Sequence, residues 1–148
     1  MDNIGSIRRS ENTFLTETLR EGKFFFPAHD ARVTPIDARD LADVAVRELL
    51  ADRPFAGVLS LTGPETLDFN AIAQKLSSAT GREIAFVNDV SPDWSEVYAG
   101  AVRKLFEHYR TRGSAPYTHT VKELLGRNPR TIEQFGKEVL LPLLSADK

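Results

Sequence analysis

Between residues 33 and 87 the chain alternates short apolar runs with amphipathic helical patterns, and this alternation restricts the fold more than any other feature. Val33-Thr-Pro-Ile36 reads as an extended segment. Asp37 follows as a helix N-cap, because its carboxylate accepts from the free N–H groups of a first turn. Asp40 then falls where the positive helix end favours an anion. Leu41, Val44, Ala45 and Leu49 recur at helical spacing until Asp52-Arg-Pro-Phe55 ends the pattern. Val58-Leu-Ser-Leu61 reads as a second strand and Thr62-Gly-Pro-Glu65 as a turn. Asp68 caps another helix whose stripe is Phe69, Ile72, Ala73 and Leu76, and Gly81 stops it. Ile84-Ala-Phe-Val87 is a third strand. Strand, helix, strand, helix, strand predicts an α/β layer with mainly parallel pairing.

The flanks carry weaker patterns. Residues 3–21 read as a helix with Ile4, Ile7, Phe14, Leu15 and Leu19 on one side and Gly22 as its stop. Lys23-Phe-Phe-Phe-Pro27 is a short extended segment, and Ala28-His-Asp-Ala-Arg32 is a polar turn. Pro35 has no N–H to give a ladder, so its strand is short or lies at an edge. Beyond residue 90 the pattern is helical. Ser91-Pro-Asp-Trp94 reads as a helix start with Pro92 near the first helical position, and Thr118 to Leu125 as a short helix. Thr131-Ile-Glu-Gln134 has the form of a capping box opening a last helix that Pro142 curtails. The expected organisation is one domain over 1–148, with an α/β sheet region over 1–90 and a helical lobe over 91–148.

Composition excludes several classes of function. A chain of 148 residues buries a real core, and 41% hydrophobic with 27% charged residues is ordinary for a globular protein. The net charge of -2, with signs interspersed, supplies no basic stripe for nucleic acid. The absence of cysteine removes disulfides, thiolate metal sites and cysteine nucleophiles, and matches a reducing, cytoplasmic setting. No apolar run approaches the roughly 20 residues needed to span a bilayer. Met1-Asp-Asn-Ile-Gly5 has neither the basic start nor the apolar core of a signal peptide. His108 and His119 lack metal-ligand spacing, so no metal site is expected.

Four segments, in order, resemble the second half of NmrA-like proteins, atypical short-chain dehydrogenase/reductase relatives built on a Rossmann fold that binds NAD(P). Ile36-Asp-Ala-Arg-Asp-Leu-Ala42 resembles the family's I-D-x-R-D-(I/L)-A at a strand-to-helix junction. Leu59-Ser-Leu-Thr-Gly-Pro-Glu65 is similar to its l-t-G-p-e turn, and residues 68–82 to the helix that follows. Gly126-Arg-Asn-Pro-Arg-Thr-Ile-Glu-Gln-Phe135 resembles its closing segment. Upstream, Met1-Asp-Asn3 is similar to the family's f-m-x-N stretch, and Phe26-Pro-Ala28 to its p-a-g-d-g loop. The glycine loop that holds the cofactor in that family has no counterpart here: there is no G-x-x-G-x-x-G or G-x-G-x-x-G. Tyr98, Tyr109 and Tyr117 each lack a lysine four residues on, so there is no Tyr-x-x-x-Lys pair either.

The resemblance implies the carboxyl-terminal part of a Rossmann-like fold with a mostly helical substrate lobe. It implies hydride transfer between NAD(P)H and a small organic substrate, with dinucleotide binding by this chain alone weak or absent. It places Asn3, Pro35 and Asp37 on the cofactor side, and Met1, Phe26, Trp94 and Tyr98 on the substrate side. The residues themselves leave other readings open. Asp37, Arg39 and Asp40 form a carboxylate pair with a cation, or a helix cap with local pairing. Phe24, Phe25, Phe26, Trp94 and Tyr98 line a pocket for a planar substrate, or they are core. Gly63 and Pro64 approach a phosphate, or form a turn. His29 and Asp30 sit in a solvated turn. Two further functional readings stand beside the enzyme: a non-catalytic regulatory or interaction module, as a homodimer or with a separate amino-terminal Rossmann half, and a truncated inactive fragment.

Overall fold

The computed structural model describes residues 17–113 and 116–146. Most of the helix expected over 3–21 therefore lies outside the described residues, as do Met1 and Asn3; residues 17–20 are helical. Gly22 ends that helix at φ 78, where an added Cβ would meet the Glu83 carbonyl oxygen at 2.8 Å. Only glycine combines that left-handed turn with so close a backbone approach. The Ala85 N–H donates to Gly22 O at 2.8 Å and starts a parallel ladder between β1 (Lys23–Phe25) and β4 (Ala85–Val87). Lys23 faces Ala85, Phe24 faces Phe86 and Phe25 faces Val87. A second pair joins β2 (Arg32–Val33) to β3 (Leu67–Asp68), and it is antiparallel.

The two aspartate caps form as the sequence requires. Asp37 opens α1 (Ala38–Leu49) and accepts from the Arg39 N–H. Asp68 opens α2 (Phe69–Thr80) and accepts from the Ala71 N–H, while Gly81 closes it at φ 67. Phe69, Ala73 and Leu76 of α2 are buried with Phe24, Ile84, Val102, Phe106 and Leu140 in one core. Burying each such phenylalanine contributes roughly 1.5–3 kcal/mol, so the α2 stripe is a main stabiliser. α2 packs on β4 and on the helical end of the chain.

Three expectations are corrected. Val58–Leu61 forms no strand; it belongs to neither ladder and Val58 is 92% exposed, because no neighbouring strand among the described residues offers its edge a partner. Pro92 does not start a helix. Residues 91–94 form a turn closed by Trp94 N–H to Ser91 O at 3.1 Å, and α3 (Glu96–Arg112) starts later, capped by Ser95. Pro142 does not end the last helix. After α4 (Thr120–Leu125), Thr131 makes the expected capping box at α5 (Ile132–Phe135). The chain then widens into a π-turn over Gly136–Leu140 and continues as α6 (Leu141–Ser145). The Leu141 N–H reaches back to Gly136 O, so the widened turn lies just ahead of Pro142, whose missing N–H and ring would disrupt a regular α-turn.

Candidate functional site

The segment entering α1 is shaped by contacts on both sides. Gly63 packs so tightly on the Pro35 carbonyl that a Cβ would lie 1.8 Å from its oxygen. Gly63 is thus present for close backbone packing, which explains it without a phosphate. Thr62, buried, accepts from the Thr118 N–H at 3.0 Å, and Thr118 Oγ1 donates to Ser60 O at 2.9 Å. Residues 60–63 are therefore held between the Pro35 strand end and the entrance to α4.

Asp37 is fully committed. Its Oδ1 accepts from Arg39 N at 2.8 Å and Arg39 Nε at 3.0 Å, and its Oδ2 accepts from Arg39 Nη2 at 2.7 Å. The hydrogen bond from the Arg39 guanidinium holds its carboxyl below the usual carboxylate range, against partial burial. Arg39 continues to Glu138 Oε2 at 2.6 Å, tying the start of α1 to the π-turn. With both oxygens accepting from Arg39, Asp37 serves as cap and anchor.

Asp40 stands in the first turn of α1, where the positive helix end favours an anion, and has a further role. It is completely buried, accepts from the Arg130 N–H at 2.7 Å and from the Arg130 guanidinium, and forms an ion pair with Arg127 Nη2 at 2.8 Å. Asp43 also pairs with both arginines, which keep its carboxyl ionised to lower pH than usual, Arg130 foremost. This cluster was missed from sequence. Its signal is two aspartates three apart on a helix face and two arginines three apart near the carboxyl end.

The four substrate-side candidates divide. Met1 lies outside the described residues; the other three come together. Phe26 lies 6.0 Å from Trp94, ring centre to ring centre, and Trp94 meets Tyr98 edge-on at 4.9 Å. The turn at buried Ser91 places Trp94, and the Ser95 cap, donated to by the Tyr98 N–H at 3.3 Å, places Tyr98. Phe26 also touches Phe69 and Phe106, so its inner side is core, whereas Tyr98 is 53% exposed. Phe24 is buried core, and Phe25 packs under the Lys23 ammonium. The row Phe26–Trp94–Tyr98 runs from core to surface, with neighbouring ring planes inclined at 56° and 81°.

His29, at φ 50, is fastened to Asn88 through its N–H at 2.7 Å, and Asp30 pairs with Arg110 at 3.1 Å. Among the described residues no group of three histidines or carboxylates could hold a metal ion. No helix among them is long and apolar enough to cross a membrane. The N-termini of α1 and α2 are capped by the chain's own Asp37 and Asp68 carboxylates.

No family model matches the chain. It is 28% identical over 125 residues to an uncharacterized oxidoreductase of Bacillus subtilis, covering 78% of this chain and 44% of that protein. It is 30% identical over 131 residues to an NAD(P)H azoreductase of Xenophilus azovorans, covering 82% and 46%. The chain thus spans less than half the length of these relatives. Its structure superposes on a Citrobacter triphenylmethane reductase solved with NADP(H), with TM-score 0.67 and 18% identity, over 86% of this chain and 49% of that one. It superposes on an Escherichia coli NADPH-dependent quinone oxidoreductase with TM-score 0.67 and 16% identity, over 88% and 50%. Parallel strands flanked by helices, in this order and geometry, make the fold that of the carboxyl-terminal part of NAD(P)-binding reductases.

Proposed function

We propose that the chain is the substrate-side part of an NmrA-like, NAD(P)H-dependent reductase acting on a small, flat, conjugated organic compound. The observation that carries this reading is the Phe26–Trp94–Tyr98 wall, which ends in a half-exposed tyrosine. The relatives support the substrate class by their names: an azoreductase, a triphenylmethane dye reductase and a quinone oxidoreductase. The cofactor would supply the hydride, and this chain would orient the acceptor and shield it from water. Pro35 and Asp37 would border the cofactor at the entrance to α1, and Asn3 would join them as the family resemblance implies. The cysteine-free composition supports a cytoplasmic setting.

Trp94 is the single tryptophan, so its emission reports on the wall alone. Titration with an azo dye or a naphthoquinone should quench it saturably. Tyr98→Ala should weaken binding roughly tenfold, the worth of one aromatic contact. Linear, purely collisional quenching would remove the substrate-side reading. Titration calorimetry with NADPH should show no micromolar isotherm for this chain alone, and a clear one would refute that part.

A second reading, a non-catalytic interaction module acting as a homodimer, draws support from the exposure of Leu49, Leu50 and Val58. A monomer by light scattering would count against it.

A further inference from the structure

β1 and β4 run parallel, and the residues just beyond their carboxyl ends gather at one edge of the ladder. Phe26 continues the ladder by donating its N–H to Val87 O at 3.2 Å, and the register that pairs Phe25 with Val87 then brings Asn88 beside Phe26. His29 follows in a tight turn, where the Ala28 N–H donates to Phe26 O at 2.8 Å. Trp94 touches Phe26 from the segment that follows Asn88. In open α/β sheets the crevice beyond the carboxyl ends of parallel strands is where small molecules are held.

The turn is fixed on both sides of His29. Ala28 is completely buried, and Asp30 pairs with Arg110 of α3 at 3.1 Å. His29 takes φ 50 and is the only non-glycine residue with positive φ among the described residues. Glycine would adopt that conformation more readily, so the backbone gives no reason for an imidazole here. The Asn88 carboxamide grips His29 at two points. Asn88 Oδ1 accepts from the His29 N–H at 2.7 Å. A backbone N–H can only donate, so the other arm of the carboxamide, 3.3 Å from His29 Nδ1, is its NH2 group. Nδ1 therefore accepts, and the uncharged ring carries its proton on Nε2. His29 is exposed, so the ring is open to a ligand at the ladder edge.

We infer that His29, held by Asn88 in its Nε2–H form, is a substrate-orienting hydrogen-bond donor. It takes the carbonyl oxygen or azo nitrogen of a flat, conjugated acceptor whose rings lie against Phe26 and Trp94. Built on the substrate-side reading of the chain, this role adds a requirement that aromatic side chains cannot impose: a hydrogen-bond acceptor atom at the rim of the ligand. The αL turn, fixed by Asp30 and Asn88, is what holds the imidazole in one orientation at the ladder edge.

The test uses the full chain with nitrogen-labelled histidine, and a naphthoquinone as the probe. Imidazole nitrogen NMR should show His29, assigned by its loss in His29→Gly, with the proton on Nε2. The naphthoquinone should shift that nitrogen saturably, with the same midpoint as its quenching of Trp94, and leave His108 and His119 unmoved. His29→Gly should weaken naphthoquinone binding roughly fivefold, the worth of one uncharged hydrogen bond. Its thermal midpoint should stay close to that of the wild type, because glycine takes φ 50 without strain and keeps the N–H that Asn88 holds. A proton on Nδ1, an unmoved His29 signal at saturating probe, or unchanged binding by His29→Gly would each overturn the role of His29 and leave the substrate-side reading in place. Linear quenching of Trp94 in the wild-type chain would remove both.

Discussion

The Arg130 backbone N–H donates to Asp40 Oδ2 at 2.7 Å while its guanidinium takes Oδ1, across 90 residues of sequence. Asp40 is completely buried, and its partners Arg130 and Arg127 are partly exposed. The pair fastens α1 to the segment that leads into the last helices. Asp40→Ala should therefore destabilise the chain by about 3 kcal/mol, the low end for a broken buried ion pair because the arginines can rehydrate. A urea denaturation midpoint that stays unchanged would show that the cluster is incidental.

Gly63→Ala tests the close approach at the strand end. The added methyl would collide with the Pro35 carbonyl oxygen, which is backbone and has no rotamer to escape into. A loss of roughly 1–3 kcal/mol is expected from forced backbone shifts, read as a lower thermal midpoint. An unchanged midpoint would mean that Gly63 is an ordinary turn residue.

Gly136 permits α2 and the π-turn to cross closely. A Cβ there would lie 2.7 Å from that of Ala79. Gly136→Ala alone should cost about 1–3 kcal/mol, and Ala79→Gly in the same chain should recover part of it. A double variant no more stable than the single would show that the clash lies elsewhere.

Acid should unfold the protein through its paired carboxylates. Hydrogen bonds from Arg39, Arg130 and Lys75 lower the carboxyls of Asp37, Asp43 and Glu133 respectively below their ordinary values of 3.8, 3.8 and 4.5. Above those ordinary values both folded and unfolded chains are ionised and the whole contribution is present. As pH falls below them the unfolded chain takes up protons first, so stability drops until the folded carboxyls also protonate. Chemical denaturation should give constant stability from pH 7 to about pH 5 from these groups and a decline below about 4.5. Asp37→Asn should flatten that decline; an acid limb identical to wild type would remove Asp37 from the account.

Much of the local structure was legible. Asp37, Asp68 and Thr131 cap their helices, Gly81 stops one, and Phe69, Ala73 and Leu76 face the core, because caps and helical stripes depend on residues within one or two turns. Val58–Leu61 has a strand's composition and still forms none, because a strand exists only when another edge accepts its backbone. Pro142 reads as a stop, yet a π-turn over Gly136–Leu140 carries the chain into another helix. Phe26, Trp94 and Tyr98 were singled out from sequence, but the contact between Phe26 and Trp94 joins segments nearly 70 residues apart and no local pattern reports it.

Where helices begin and which faces are apolar can be read along the chain, since those follow from hydrogen bonds and periodicities spanning a few residues. That Asp40 is a buried anchor, that Gly63 lies against the Pro35 carbonyl and that Val46, Leu49, Leu50, Phe55 and Val58 stay uncovered is set by the packing of the folded chain. Those facts depend on what lies opposite a residue in space, and a side chain's burial and charge partners are set by segments tens of residues away.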